Sequence, residues 1–138
     1  MKSYRAISLS LSAIFALVGI LFVAAPDAVI GFFNALSSPL GMAQSPPAGF
    51  NFYLILAGGY MYVVAVLAFM MYRFPKNIYF PLLLAHAKLA SSVLSLGMFL
   101  FQSGYLIYIT NLIVDWLIGS LATAFYMKMR RTRNWASS

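Results

Sequence analysis

The stretch IYFPLLLAHAKLASSVLSLGMFLFQSGYLIYITNLIVDWLIGSLATAFYM, residues 78–127, decides the fold class. It holds two apolar runs, about 78–101 and 106–127, each longer than twenty residues and separated only by Gln102-Ser103-Gly104-Tyr105. About twenty apolar residues in a helix cross a hydrocarbon core of about 30 Å. A four-residue turn between two such helices makes them antiparallel neighbours. Two further runs of this kind precede them, at about 6–25 and 51–72. The expected architecture is therefore an all-α membrane protein: one domain over residues 1–138, built as a four-transmembrane-helix bundle.

Composition agrees. Of 138 residues, 63% are hydrophobic and 8% charged, against about 25% charged in ordinary soluble domains. So few charges cannot keep a surface of this size in water. Cysteine is absent, which excludes disulfides, thiolate metal sites and thiol redox chemistry. The net charge of +7 raises the question of nucleic acid, but its placement answers it. Lys2 and Arg5 precede the first run, Arg73 and Lys76 fall between the second and third, and Lys128, Arg130, Arg131 and Arg133 follow the fourth. The connections 26–50 and 102–105 contain neither lysine nor arginine. This is the positive-inside pattern, which puts both termini in the cytoplasm, as in a bacterial inner membrane protein. The expected surroundings are lipid and other membrane subunits or further copies of the chain, not nucleic acid.

The first run resembles a signal peptide in its basic start and its small-residue end at Val23-Ala24-Ala25. Its length exceeds the roughly 7–15 apolar residues of a signal peptide core, and Pro26 would follow the cut. We read it as a retained helix. After it, Pro26 and Asp27 suit a helix start, and Val29, Ile30, Phe33 and Leu36 repeat at helical spacing. These predict a short interfacial helix over about 27–36, stopped by Ser37-Ser38-Pro39, then an irregular segment from Gly41 to Gly49. Asn51 suits a cap for the second span, Pro81 is tolerated in the first turn of the third, and Trp135 to Ser138 reads as a frayed tail. Tyr53, Tyr60, Tyr79, Tyr105, Tyr108 and Tyr126 lie near the expected span ends, where an aromatic belt would form.

Three ionisable residues interrupt the apolar spans: His86, Lys88 and Asp115. Each charge at the centre of a bilayer costs about 2.5–3.5 kcal/mol on insertion scales. Lys88 lies about 15 Å from the basic end of the third span and Asp115 about 18 Å from that of the fourth, at 1.5 Å per residue. Equal depth on adjacent antiparallel helices predicts a Lys88–Asp115 ion pair, which lets both groups stay charged. Ser91, Ser92 and Ser95 share the face of Lys88, and Asn111 and Gly119 that of Asp115. Together they form a polar seam that admits three readings: a device fixing helix register, a ligand, proton or ion site, or a pair completed by a partner subunit.

His86 points roughly 200° away from Lys88 and, as the only histidine, is read as bonded to a neighbouring helix rather than to a ligand. The eight methionines read as packing rather than a copper site, which needs several converging thioethers. Gly58 and Gly59, with Ala57, and the small residues Ala85, Ala87 and Ala90 are candidate close-packing positions. No phosphate loop, carboxylate pair or nucleophile–base arrangement is present. No catalytic residue, metal site or cofactor is legible.

Pro26 at the end of the first span, the longer outer connection, Ala57-Gly58-Gly59-Tyr60 and the compact final pair of spans give a layout similar to the DoxX-like group of small four-helix membrane proteins. That resemblance implies an association with membrane redox complexes or oxidative-stress responses and assigns no residue a role. Three functions follow for testing. The first is an accessory or structural subunit of a larger membrane complex. The second is a small oligomeric transporter or channel using Lys88 and Asp115. The third is a quinone-site protein or other membrane enzyme using His86 or Lys88 with Asp115, with Trp116 and Tyr108 as candidates to line its pocket.

Overall fold

The computed structural model describes residues 2–47 and 52–135. The described chain is all-helical: α1 (Lys2–Ala24), α2 (Pro26–Ser37), a 3-10 turn (Ser38–Leu40), α3 (Phe52–Arg73), α4 (Tyr79–Phe101) and α5 (Leu106–Trp135). α1, α3, α4 and α5 are each long and apolar enough to cross a membrane. The Asn51 cap, the end of the irregular segment and the tail from Ala136 to Ser138 lie outside the described residues.

Helix ends differ from the apolar boundaries in an instructive way. α1 begins at Lys2 and α5 runs to Trp135, both beyond the hydrophobic stretch. Lysine, arginine and methionine are good helix formers, so backbone hydrogen bonding continues where hydropathy stops. α2 starts with Pro26 at its first position and Asp27 in its first turn, where the missing N–H costs nothing and a carboxylate meets the positive end of the helix dipole. Pro39 does not end the helix abruptly. The chain tightens into the 3-10 turn and stops at Gly41, whose φ of 64° lies in the left-handed region open to glycine. Asn34 then fastens the following segment to α2, its Nδ2 donating to the Ser45 carbonyl at 2.8 Å and its Oδ1 accepting from the Ser45 N–H at 2.7 Å. Leu36 is exposed. At the other turn, Asn77 Oδ1 accepts from the Tyr79 N–H at 3.0 Å and so satisfies the first N–H of α4.

The long helices associate as two antiparallel pairs, α1 with α3 and α4 with α5, which meet chiefly through α3 and α4. In the first pair Ser12 Oγ donates to the Ala65 carbonyl at 2.9 Å, and Gly19 and Gly58 admit Met61 and Val23 at distances a Cβ would not allow. In the second, Gly119 lies against Leu89. Where the pairs meet, the core holds Phe15, Val64, Ala68, Met71, Leu84, Ala85 and Ala122. α1 and α5 share no comparable seam. They touch near the basic end, where Tyr4 and Phe125 stack edge to face with centroids 4.9 Å apart. Beyond the other end α2 packs on both. Between these two closures a slot remains.

The small-residue positions divide. Gly58 and Gly119 are close-approach sites, whereas a Cβ on Gly59 would meet nothing within 4 Å, so Gly59 does not pack against another described helix of this chain. Ala85 is buried while Ala90 is exposed.

Candidate functional site

The polar seam is built by helical periodicity. Lys88, Ser91, Ser92 and Ser95 recur on one face of α4, and Asn111 and Asp115 lie one turn apart on α5. The turn at Gln102–Tyr105 sets the two faces against each other. Lys88 Nζ lies 2.8 Å from Asp115 Oδ1, and the two side chains are 3% and 4% exposed. Ser92 Oγ donates to the Leu112 carbonyl at 3.0 Å, and Asn111 Nδ2 donates to Ser95 Oγ at 2.7 Å and to Ser91 Oγ at 3.3 Å. All six polar positions read from the sequence thus come together along one interface.

Two residues that sequence reasoning missed complete the surroundings of the ammonium. Phe15 of α1 and Tyr60 of α3 present their rings to Lys88 Nζ at 4.5 Å and 5.2 Å from the centroids. A cation over an aromatic face gains about 2 kcal/mol or more when desolvated, so the rings add to what the carboxylate supplies. Tyr60 also donates from its hydroxyl to the Ala87 carbonyl at 3.0 Å, tying α3 to α4. This corrects its placement in an aromatic belt, since it stands eight residues inside α3. A signal existed: Phe15, Val18 and Phe22 fall at i, i+3 and i+7 on α1. What the sequence withheld was which helix that face meets.

One atom of the seam is left over. Asp115 Oδ2 is buried and has no hydrogen-bond partner. Asp115 and Lys88 border a cleft of about 300 Å³ at the slot between α1 and α5, walled by Phe15, Val18, Phe22 and Tyr60. Charges in the cleft cancel, hydrogen-bonding capacity does not. The arrangement can hold a neutral group that donates a hydrogen bond beside an apolar body.

His86 departs from expectation. It is exposed on the outer face of α4, and its Nδ1 lies 2.8 Å from the Leu82 carbonyl of its own helix, not against a neighbouring one. An i−4 carbonyl was within reach all along. Beside it lies a groove shared with Tyr126 and Arg130, on the opposite side of α4 from Lys88. Trp116 is also turned outward, and neither it nor Tyr108 borders the cleft, so the quinone-pocket lining expected of them is not formed there. Among the described residues no three histidine, aspartate or glutamate side chains gather.

No family model, curated protein or solved structure matches the chain. The similarity to the DoxX-like group therefore rests on layout alone.

Proposed function

We propose that this chain is an integral membrane protein whose four long helices span a bilayer as a bundle. Both termini lie on the cytoplasmic side, as in a bacterial inner membrane. In that setting it serves as an accessory or structural subunit of a larger membrane assembly. The basic residues at one end of the antiparallel helices support the orientation, and α2, with Phe32 60% exposed, suits a place in the headgroup region.

The observation that carries the subunit reading is that two aromatic side chains with polar groups lie on the outer surface. Tyr62 is 72% exposed and Trp116 is 55% exposed. Each stands ten residues inside its helix, about 15 Å from the end and so near mid-bilayer. Such side chains ordinarily gather at the interface, where the hydroxyl or indole N–H finds an acceptor. Facing lipid at mid-depth, each polar group would go unpaired at a cost of roughly 1–3 kcal/mol. A neighbouring helix that offers an acceptor removes that cost. The transporter reading has less support, because the slot beside Lys88 and Asp115 is bounded at one end by Tyr4 and Phe125 and at the other by α2.

Extraction of the chain from its native membranes in mild detergent tests this. Other membrane proteins should be recovered with it in fixed proportion, and Tyr62→Leu with Trp116→Leu should reduce that recovery several-fold without changing the amount of the chain in the membrane. Recovery of the wild-type chain as a stable lone monomer would overturn the proposal.

A further inference from the structure

We propose that the cleft between α1 and α5 binds a neutral, membrane-dissolved amphiphile whose polar end is a hydroxyl, entering sideways from the bilayer. The inference rests on the helices lying in a membrane and is independent of the chain being a subunit.

Access comes first. The slot is held shut near the basic end by the Tyr4–Phe125 contact and crossed at the other end by α2. At its mid-height Ile14 and Val114, one on each side, are 52% and 45% exposed. The mouth therefore faces the apolar surroundings and not an aqueous end. Its volume of about 300 Å³ lies at the small end for ligand pockets, enough for a polar head and a few methylenes with the tail remaining in lipid.

Charge then selects the head. Lys88 and Asp115 neutralise each other at 2.8 Å. An anionic head would bring a second negative charge beside Asp115, and a cationic one a second positive charge beside Lys88, each in a medium of low dielectric where like charges are costly. A neutral head avoids both. Hydrogen bonding narrows it further. The ammonium of Lys88 is engaged by one carboxylate oxygen and two aromatic faces, whereas Asp115 Oδ2 is buried and unpartnered. A buried acceptor left empty costs about 1–3 kcal/mol, more when charged, and a small turn of the Asp115 carboxylate toward the cleft that it borders lets an O–H donor there satisfy it. Phe15, Val18 and Phe22 meanwhile offer the chain an apolar wall.

The test uses the full chain reconstituted in phosphatidylcholine vesicles, with a hexadecanol carrying a photoreactive diazirine near the hydroxyl and the methyl ether of the same molecule. Retention of the chain in the vesicles after alkaline carbonate washing reports the membrane reading separately. The alcohol should label peptides covering Phe15 to Phe22 or Ala57 to Met61, excess hexadecanol should abolish the labelling, and the ether should label at least tenfold less. Val18→Trp, which fills the cleft without touching the ion pair, should remove the labelling while leaving the chain's elution and thermal stability unchanged. Equal labelling by alcohol and ether, or labelling spread over outward residues such as Val93 and Leu94, would overturn the proposal. So would cleft labelling in vesicles that vanishes in native membranes, which would assign the slot to a neighbouring helix.

Discussion

At Lys88 the energetics turn on desolvation. Taking an ammonium and a carboxylate out of water costs several kcal/mol each, and their attraction offsets this only with good geometry and further contacts. Lys88 has both, with Asp115 Oδ1 at 2.8 Å and the rings of Phe15 and Tyr60 over it. Lys88→Met strands a carboxylate with two unpaired oxygens, and Asp115→Leu strands an ammonium. Each should lower stability by about 3–5 kcal/mol, while the double variant Lys88→Met/Asp115→Leu should return to within about 1 kcal/mol of the wild type, because an apolar pair of similar volume avoids the desolvation altogether. Unfolding of the four proteins in the same micelles measures the coupling, and simple additivity of the two losses would show that the pair does not act as a unit. The pair itself was legible in the sequence, since depth along two helices joined by four residues fixes which charges can meet. The ring of Tyr60 was not, because its position in α3 says nothing of the α4 residue it will face. Nor was the bond of His86 to Leu82, where an intrahelical carbonyl competed successfully with any neighbouring helix.

Between elements, glycine decides how close two helices come, and only some of the glycines do so. A Cβ on Gly119 would stand 2.8 Å from Leu89 Cγ and 3.2 Å from the Leu89 backbone nitrogen. The side chain could turn aside, the backbone could not. Gly119→Ala should therefore push α5 from α4, stretch the Ser92–Leu112 and Asn111–Ser95 hydrogen bonds, and cost about 1–3 kcal/mol as overpacked substitutions do. Leu89→Ala in the same chain should restore only part of that loss. Gly59→Ala, with open space around it, should be neutral or stabilising by up to about 1 kcal/mol from helix propensity. Thermal unfolding of the three variants in one detergent distinguishes them, and a Gly59→Ala loss equal to that of Gly119→Ala would refute the geometric assignment. The four long helices were readable from hydropathy, as was the position of α2. Which of Gly58 and Gly59 packs was not readable, because adjacent residues on a helix point about 100° apart and the partner's direction is a tertiary fact. Nor was the packing of Gly19 against Met61, for the same reason.

For the molecule as a whole, antiparallel packing brings the ends of α1, α3, α4 and α5 into two sets. Arg5 lies over the Tyr72 ring at 4.9 Å and Arg73 over Phe74 at 5.6 Å, so the start of α1 and the end of α3 share one end, and the start of α4 follows within a five-residue turn. Eight of the nine lysines and arginines belong to this end, the ninth being Lys88. Basic flanks resist translocation, so this end should stay in the cytoplasm while the turns at 41–47 and 102–105 face outward. The absence of cysteine from the chain makes the arrangement directly measurable, because a single introduced thiol gives the whole signal. A membrane-impermeant maleimide added to intact cells should label Gln44→Cys and Ser103→Cys, and should reach Lys76→Cys and Thr132→Cys only after permeabilisation. The reverse result would invert the orientation while leaving the four-span reading intact. Labelling of all four from one side would show that the antiparallel pairs do not cross the bilayer, and with that the depth argument for the buried pair and the sideways-opening cleft would both lose their premise.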